Sequence, residues 1–284
     1  MDFNQPISLQ TASATFLEIN TLTAAVGPAT PLSGYIVEAA NIGAAAVRGY
    51  TVEQAQGDGV QGAEAFLTQK NVALIVSVFG STLGNFWDKI DTINGAMDPY
   101  PDAFVSDNGF RQLRFYSPTG STSRQVYMMV RPTATPAIGV TKNQSIGASS
   151  KGFATNTQLA FMAQDPRKIA VSETTVSIST GTTTMSFNGN YKYYPTVILT
   201  ASGTSASYTI GGKTVSLIGL SSGTSYYIDH AKATLRIGSA TGTISTGKFN
   251  ETSTTGFGAV KSGGTIVVTG SVSSGSIRYR EAWL

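Results

Sequence analysis

Residues 72–97 constrain this chain more than any other stretch, because a buried strand there runs into an amphipathic helix through a single glycine. Val72-Ala73-Leu74-Ile75-Val76-Ser77-Val78-Phe79 is apolar at odd and even positions alike. Side chains alternate faces along a strand, so this run predicts a strand covered on both sides. Gly80 breaks the run, and Ser81 offers a hydroxyl oxygen to cap a following helix. Leu83, Phe86, Trp87, Ile90, Ile93 and Met97 recur at spacings of three and four, laying one apolar stripe along that helix. On this reading Trp87 belongs to the core. Asp98-Pro99 ends the helix, since the proline ring clashes with the turn before it.

Elsewhere the pattern is that of short strands. Residues 14–19, 35–39 and 50–53 read as strands separated by turn chemistry at Gly27-Pro28 and at 31–34. Residues 112–116 and 124–130 form a further pair, joined by the hairpin loop Ser117-Pro118-Thr119-Gly120-Ser121. A polar segment over 132–152 is long for a loop in a compact domain, where such length usually carries a function. Leu159-Ala160-Phe161-Met162-Ala163 is another strand, closed by Asp165-Pro166-Arg167.

Near residue 170 the character changes to strict alternation with small polar partners. Val176 and Ile178, Tyr208 and Ile210, Val215 and Leu217, Leu235 and Ile237, Ile266 and Val268, and Ile277 and Tyr279 each fall on one face of a strand. Gly211-Gly212 between two such strands predicts a two-residue hairpin, because both positions accept positive φ. Strands at 8–12-residue spacing imply a sandwich or barrel. The expected fold is mainly β, with two β-sandwich-like domains at 1–170 and 171–284, the first carrying one docked helix at 81–97.

Composition narrows the function classes. Only 12% of the 284 residues are charged, about half the globular average. Low charge limits the solubility of a free monomer and favours contact between subunits. The net charge of +3 is spread along the chain, unlike the clustered basic face of a nucleic-acid binder. With no cysteine, disulfides and thiolate metal sites are excluded. Met1-Asp2-Phe3-Asn4-Gln5-Pro6 has neither the basic flank nor the apolar run of a signal peptide. No run approaches the roughly 18 apolar residues of a membrane span. A protein made in the cytoplasm, without membrane insertion, is expected.

The motifs that carry chemistry fail on context. Gly57-Asp58-Gly59-Val60-Gln61-Gly62 fits a dinucleotide loop, but no strand enters it, no helix leaves it, and Asp58 would repel phosphate. Gly219-Leu220-Ser221-Ser222-Gly223 fits a serine-hydrolase elbow, which needs a strand turning into a helix and a histidine base. The one histidine, His230, lies at the end of a strand starting at Tyr226 and reads as a surface or strand-end residue. Asp98, Asp102 and Asp107 share one loop region with the oxygen chemistry calcium favours, at a spacing that matches no established calcium loop. Asp88 and Asp91 lie off the apolar stripe on a solvated helix face. Tyr191, Tyr193 and Tyr194 offer a stacking platform for a sugar, or ordinary sheet packing. No catalytic residue, cofactor or metal is expected.

Taken in order, these pieces resemble the distal tail (Dit-like minor tail) protein family of long-tailed bacteriophages. The resemblance rests on Asp58-Gly59 before the central strand, on the strand 72–79 with its helix 81–97, and on Phe161-Met162-Ala163-Gln164-Asp165-Pro166-Arg167. It continues in the stretch 189–196, the hairpin at Gly211-Gly212, Tyr227-Ile228-Asp229, and the ending Ile277-Arg278-Tyr279-Arg280-Glu281-Ala282-Trp283-Leu284. It implies a structural virion protein at the tail tip, assembled in the host bacterial cytoplasm. N-terminal domains of such a family form a homo-hexameric ring joining the tail tube protein to the baseplate and tail-tip hub. The tape measure protein and then DNA pass through the channel without specific binding. The C-terminal domain, galectin-like in shape, projects outward and often carries receptor-binding or side-fibre proteins. In such a ring, residues 132–152 and the first dozen residues are expected to reach neighbouring copies. A carbohydrate-binding adhesin acting through the C-terminal sandwich is the alternative, and an enzyme has only the rejected motifs in its favour.

Overall fold

The computed structural model describes residues 1–2, 5–11, 15–21, 33–44, 47–48, 51–53, 60–62, 66–99, 108–119, 122–136, 138 and 153–284. The chain divides into two compact units, Met1–Pro166 and Arg167–Leu284.

The first unit contains, in chain order, β1 (Ser8–Gln10), β2 (Phe16–Glu18), β3 (Gly34–Ile42), β4 (Val47–Arg48), β5 (Thr51–Glu53), β6 (Val60–Gly62), β7 (Phe66–Leu67) and β8 (Lys70–Gly80). Helix α1 (Leu83–Ala96), β9 (Arg111–Thr119), β10 (Thr122–Pro132) and β11 (Phe153–Ala163) follow. Seven strands of the first unit pair in the order β2-β1-β9-β10-β11-β8-β3, and β4–β7 and β5–β6 are separate two-stranded pairs. The chain leaving β2 then bonds to β3. Thr21 N–H donates to the Tyr35 carbonyl at 3.0 Å, Tyr35 N–H to Thr21 Oγ1 at 2.9 Å, and Val37 N–H to Asn20 Oδ1 at 3.1 Å. The sheet thereby closes on itself, with the buried Asn20 amide standing in for a backbone carbonyl, and the open edges that invite stray pairing are tied together.

Period-two alternation sets the inner face. Val72, Leu74, Val76 and Val78 of β8, Leu159 and Phe161 of β11, Val126, Met128 and Val130 of β10, and Leu113 and Phe115 of β9 are all buried. Helix α1 lays Phe86, Ile90, Ile93 and Ala96 against them, and the Tyr35 hydroxyl donates to the Lys89 carbonyl at 2.9 Å. Gly80 permits this approach: a Cβ there would lie 2.4 Å from Phe86 Cα.

Several expectations are corrected here. The second face of β8 is covered only in part, since Asn71 and Ile75 are exposed there while Ser77 is buried and Ala73 and Phe79 are half-buried. Thr82, not Ser81, caps α1, its Oγ1 accepting from Asn85 N–H at 3.1 Å. Leu83 and Trp87 belong to the apolar stripe by spacing, yet they are 51% and 45% exposed. Their flank of the stripe is left uncovered within the unit. The expected hairpin loop is tighter than 117–121, since Thr119 pairs with Thr122 and only residues 120–121 lie between the strands. Within the chain, β1 pairs with β2 and β9, and residues 139–152 of the long polar segment lie outside the described residues.

The second unit contains β12 (Lys168–Ala170), β13 (Thr174–Ile178), β14 (Gly181–Thr184), β15 (Thr196–Ile210), β16 (Lys213–Ile218), β17 (Ser225–Asp229), β18 (Thr234–Ile237), β19 (Thr265–Tyr279) and β20 (Ala282–Trp283). Its backbone is the long pair β15–β19, whose register shifts between Thr200 and Ala206. Before the shift β15 buries Val197, Leu199 and Ala201, and after it Ala206, Tyr208 and Ile210, so the buried set changes from odd to even positions. Strands β13 and β17 pair with one half of this spine, β14 and β16 with the other, and β18 extends β17. Inward residues of both halves meet in one core, which makes the unit a sandwich. The β15–β16 hairpin turns on Gly211 and Gly212 at φ +56° and +75°, as expected of that dipeptide. The fold is mainly β with a single helix among the described residues.

Candidate functional site

The residues singled out by sequence do not converge. In the dinucleotide-like motif, residues 57–59 lie outside the described residues and 60–62 are strand β6. The stretch 219–223 is a turn from β16 toward β17 and opens no helix. There Gly223 N–H donates to the Ala201 carbonyl at 2.8 Å, and Ser221 N–H to the Tyr226 hydroxyl at 2.8 Å.

His230 is engaged elsewhere and is 3% exposed, so it sits just past the strand end as expected but is buried rather than superficial. Its Nδ1 donates to the Gly258 carbonyl at 2.7 Å, which leaves Nε2 to accept from the Tyr208 hydroxyl at 2.8 Å. The Tyr208 ring stacks on the imidazole and Phe257 meets it edge-on. Burial lowers the His230 pKa to about 4, against the upward pull of the Gly258 bond and Asp229. Burial also pushes the Tyr208 hydroxyl well above its ordinary range.

Among the aspartates, Asp102 and Asp107 lie outside the described residues, and the Asp98 carbonyl accepts from Arg111. Asp88 and Asp91 are exposed on α1. Among the described residues, no group of three or more His, Asp or Glu side chains is placed to hold a metal ion. Tyr191, Tyr193 and Tyr194 are half-buried. Tyr191 and Tyr193 pack against the second core while their N–H groups donate to the carbonyls of Ala282 and Val260.

What sequence reasoning missed is Arg111, whose side chain is fully buried beneath the C-terminus of α1. Its Nη1 donates to the Ala96 carbonyl at 2.7 Å and its Nη2 to the Asp98 carbonyl, so a cation satisfies the helix end and pins it to β9. Burial lowers its pKa and the Asp98 charge opposes that shift. A lone arginine at a strand start carries no sequence signal of such a role.

The surface is more informative than any cleft of the first unit. Leu83 and Trp87 lie one helical turn apart and project from α1 as a small apolar patch. On the outer face of β3, β8 and β11, Ala73 and Ala160 floor a depression of about 310 Å³ rimmed by Asn41, Asn71 and Gln158. No described helix is long and apolar enough to cross a membrane.

No family model matches the sequence. No curated protein matches it either. Among solved structures, the fold is shared with the SPP1 Dit protein (gp 19.1), described as a paradigm of the hub adsorption apparatus of phages infecting Gram-positive bacteria. The TM-score is 0.61 at 16% identity, covering 88% of this chain and 94% of that one. Two chains of the phage p2 baseplate in its activated conformation, with strontium and with calcium, match at TM-scores of 0.48 and 0.44. They are 10% and 9% identical, each with 97% of both chains covered. The resemblance to distal tail proteins drawn from the residues is thus borne out at the level of the fold.

Proposed function

We propose that this chain is a structural protein of a phage tail tip, whose first unit closes with its copies into a homo-hexameric ring. The observation that carries this reading is the likeness to SPP1 Dit over nearly the full length of both chains. A fold alone hosts many functions, so the surface chemistry matters too. Twelve per cent charged residues and the exposed Leu83–Trp87 patch suit a subunit that is covered on assembly. We assign Leu83 and Trp87 to the contact between neighbouring copies, since an exposed apolar pair is the kind of surface that assembly covers.

In this reading the ring joins the tail tube to the baseplate hub and lets the tape measure protein and DNA through without reading sequence. The second unit, galectin-like in shape, faces outward as a mount for receptor-binding components. The protein works by geometry and performs no catalysis. Native mass spectrometry of the purified full chain, with electron micrographs, tests it directly. Six-membered rings with a central hole are expected, and a chain that stays monomeric at high concentration overturns the reading.

A further inference from the structure

The second unit carries a small polar cleft on the outer face of β15, β17 and β18, with a volume of about 160 Å³. Strand register places its walls. Thr196, Asp229 and Thr234 form one cross-strand row, and Tyr227 with Arg236 belong to the next. Lys232 closes the cleft from the turn between β17 and β18. These groups are held in place: Asp229 Oδ1 accepts from the N–H groups of Ala231 at 2.9 Å and Lys232 at 3.2 Å, which shapes the turn. Arg236 Nη1 donates to the Gly242 carbonyl at 2.9 Å, fixing the guanidinium plane while other N–H donors remain on it.

From this lining we infer that the cleft binds a single sugar ring, a site separate from Tyr191, Tyr193 and Tyr194 and independent of ring assembly. An apolar ligand would leave the carboxylate and both cations desolvated without partners. Phosphate meets the Asp229 carboxylate, and a metal cation meets Lys232 and Arg236. A sugar hydroxyl donates and accepts at once, so one ring can give a hydrogen to the free oxygen of Asp229 while accepting from Lys232 and Arg236. Tyr227 adds a half-buried aromatic surface against which the C–H face of the ring packs. The volume sits below the roughly 300–1,000 Å³ of drug-sized sites, which limits the occupant to one ring or the end of a chain.

Saturation-transfer NMR on the full-length protein tests this, with glucose, galactose, N-acetylglucosamine, rhamnose and glucuronate as probes and inorganic phosphate as competitor. At least one sugar is expected to bind with a dissociation constant of roughly millimolar order. Tyr227→Ala and Asp229→Asn are expected to weaken it at least about fivefold. Tyr194→Ala should leave it unchanged. Lys232→Ala alters only an exposed turn residue and should weaken binding about twofold, so the test survives if a strand variant fails to fold. The inference is overturned if no sugar binds, if phosphate displaces the signal, or if Tyr194→Ala abolishes binding and Tyr227→Ala does not. Native mass spectrometry of the same variants should show their oligomeric state unchanged, so loss of sugar binding leaves the ring reading standing.

Discussion

Nε2 of His230 lies 2.8 Å from the hydroxyl of Tyr208, both groups buried in the second unit. With Nδ1 donating to Gly258, the neutral imidazole accepts the Tyr208 O–H at Nε2. A protonated ring would instead have to carry a buried charge and donate to the hydroxyl oxygen. The His230 pKa in the folded chain is about 4, below its ordinary value of 6.5. The unfolded chain therefore takes up the proton first as the solution is acidified. The His230 contribution to stability is complete above pH 6.5 and is lost as pH falls toward 4, amounting to roughly 3 kcal/mol. Urea unfolding of wild type and His230→Gln between pH 7.5 and 4 checks this. The wild type should lose more stability across that window, and parallel curves would refute the assignment.

Arg111 makes a second prediction. Replacing it with Met leaves the carbonyls of Ala96 and Asp98 without these donors in a buried setting, at a cost of about 1–3 kcal/mol for each group. A fall of roughly 3 kcal/mol in the denaturation free energy is expected. Arg111→Lys should recover less than half of it, since one ammonium cannot reproduce the planar fork.

The cap of α1 separates two neighbouring hydroxyls. Thr82→Ala should cost about 1 kcal/mol, because Thr82 Oγ1 receives the Asn85 N–H. Ser81→Ala should stay within about 0.5 kcal/mol. Equal effects in thermal melts would return the cap to Ser81.

Gly80→Ala brings a Cβ to within 2.4 Å of the Phe86 Cα. Backbone cannot yield as a side-chain tip does, so the helix must lift from β8 at a cost of at least about 1–3 kcal/mol. Slower tryptic cleavage of this variant than of the wild type would contradict that account.

Trp87→Ser, with Leu83→Ser, tests the proposed subunit contact. Both side chains are about half exposed within the unit, so the melting temperature of the isolated subunit should barely change. Ring formation should weaken by at least about tenfold, as expected of a tryptophan anchor. Unaltered rings would move the contact elsewhere on the unit.

Much of the fold is legible in local pattern. The helix between Leu83 and Ala96 follows from its apolar spacing, and the hairpin at Gly211-Gly212 from backbone freedom. The alternating pairs of the second unit fall where period two puts them, because burial of one strand face imposes that period. Less was legible where two segments far apart in the chain decide the outcome. Trp87 and Ile90 are equally good stripe residues, yet Ile90 is 2% exposed and Trp87 45%. The difference is which side of the stripe the rest of the unit covers, which no spacing records. The cleft residues Thr196, Tyr227, Lys232 and Arg236 carry no shared motif, since β15 joins β17 across an intervening hairpin.

By itself the sequence determined a β chain with one helix, the strand periods and the tight glycine turn, since each of these follows from side-chain and backbone preferences within a few residues. Tertiary structure alone decided that Asn20 and Thr21 close the first sheet onto β3, that Arg111 ties down α1, and that His230 is buried against Tyr208. Those outcomes depend on which distant group arrives to satisfy a buried donor or acceptor, and chain separation hides that from any local reading.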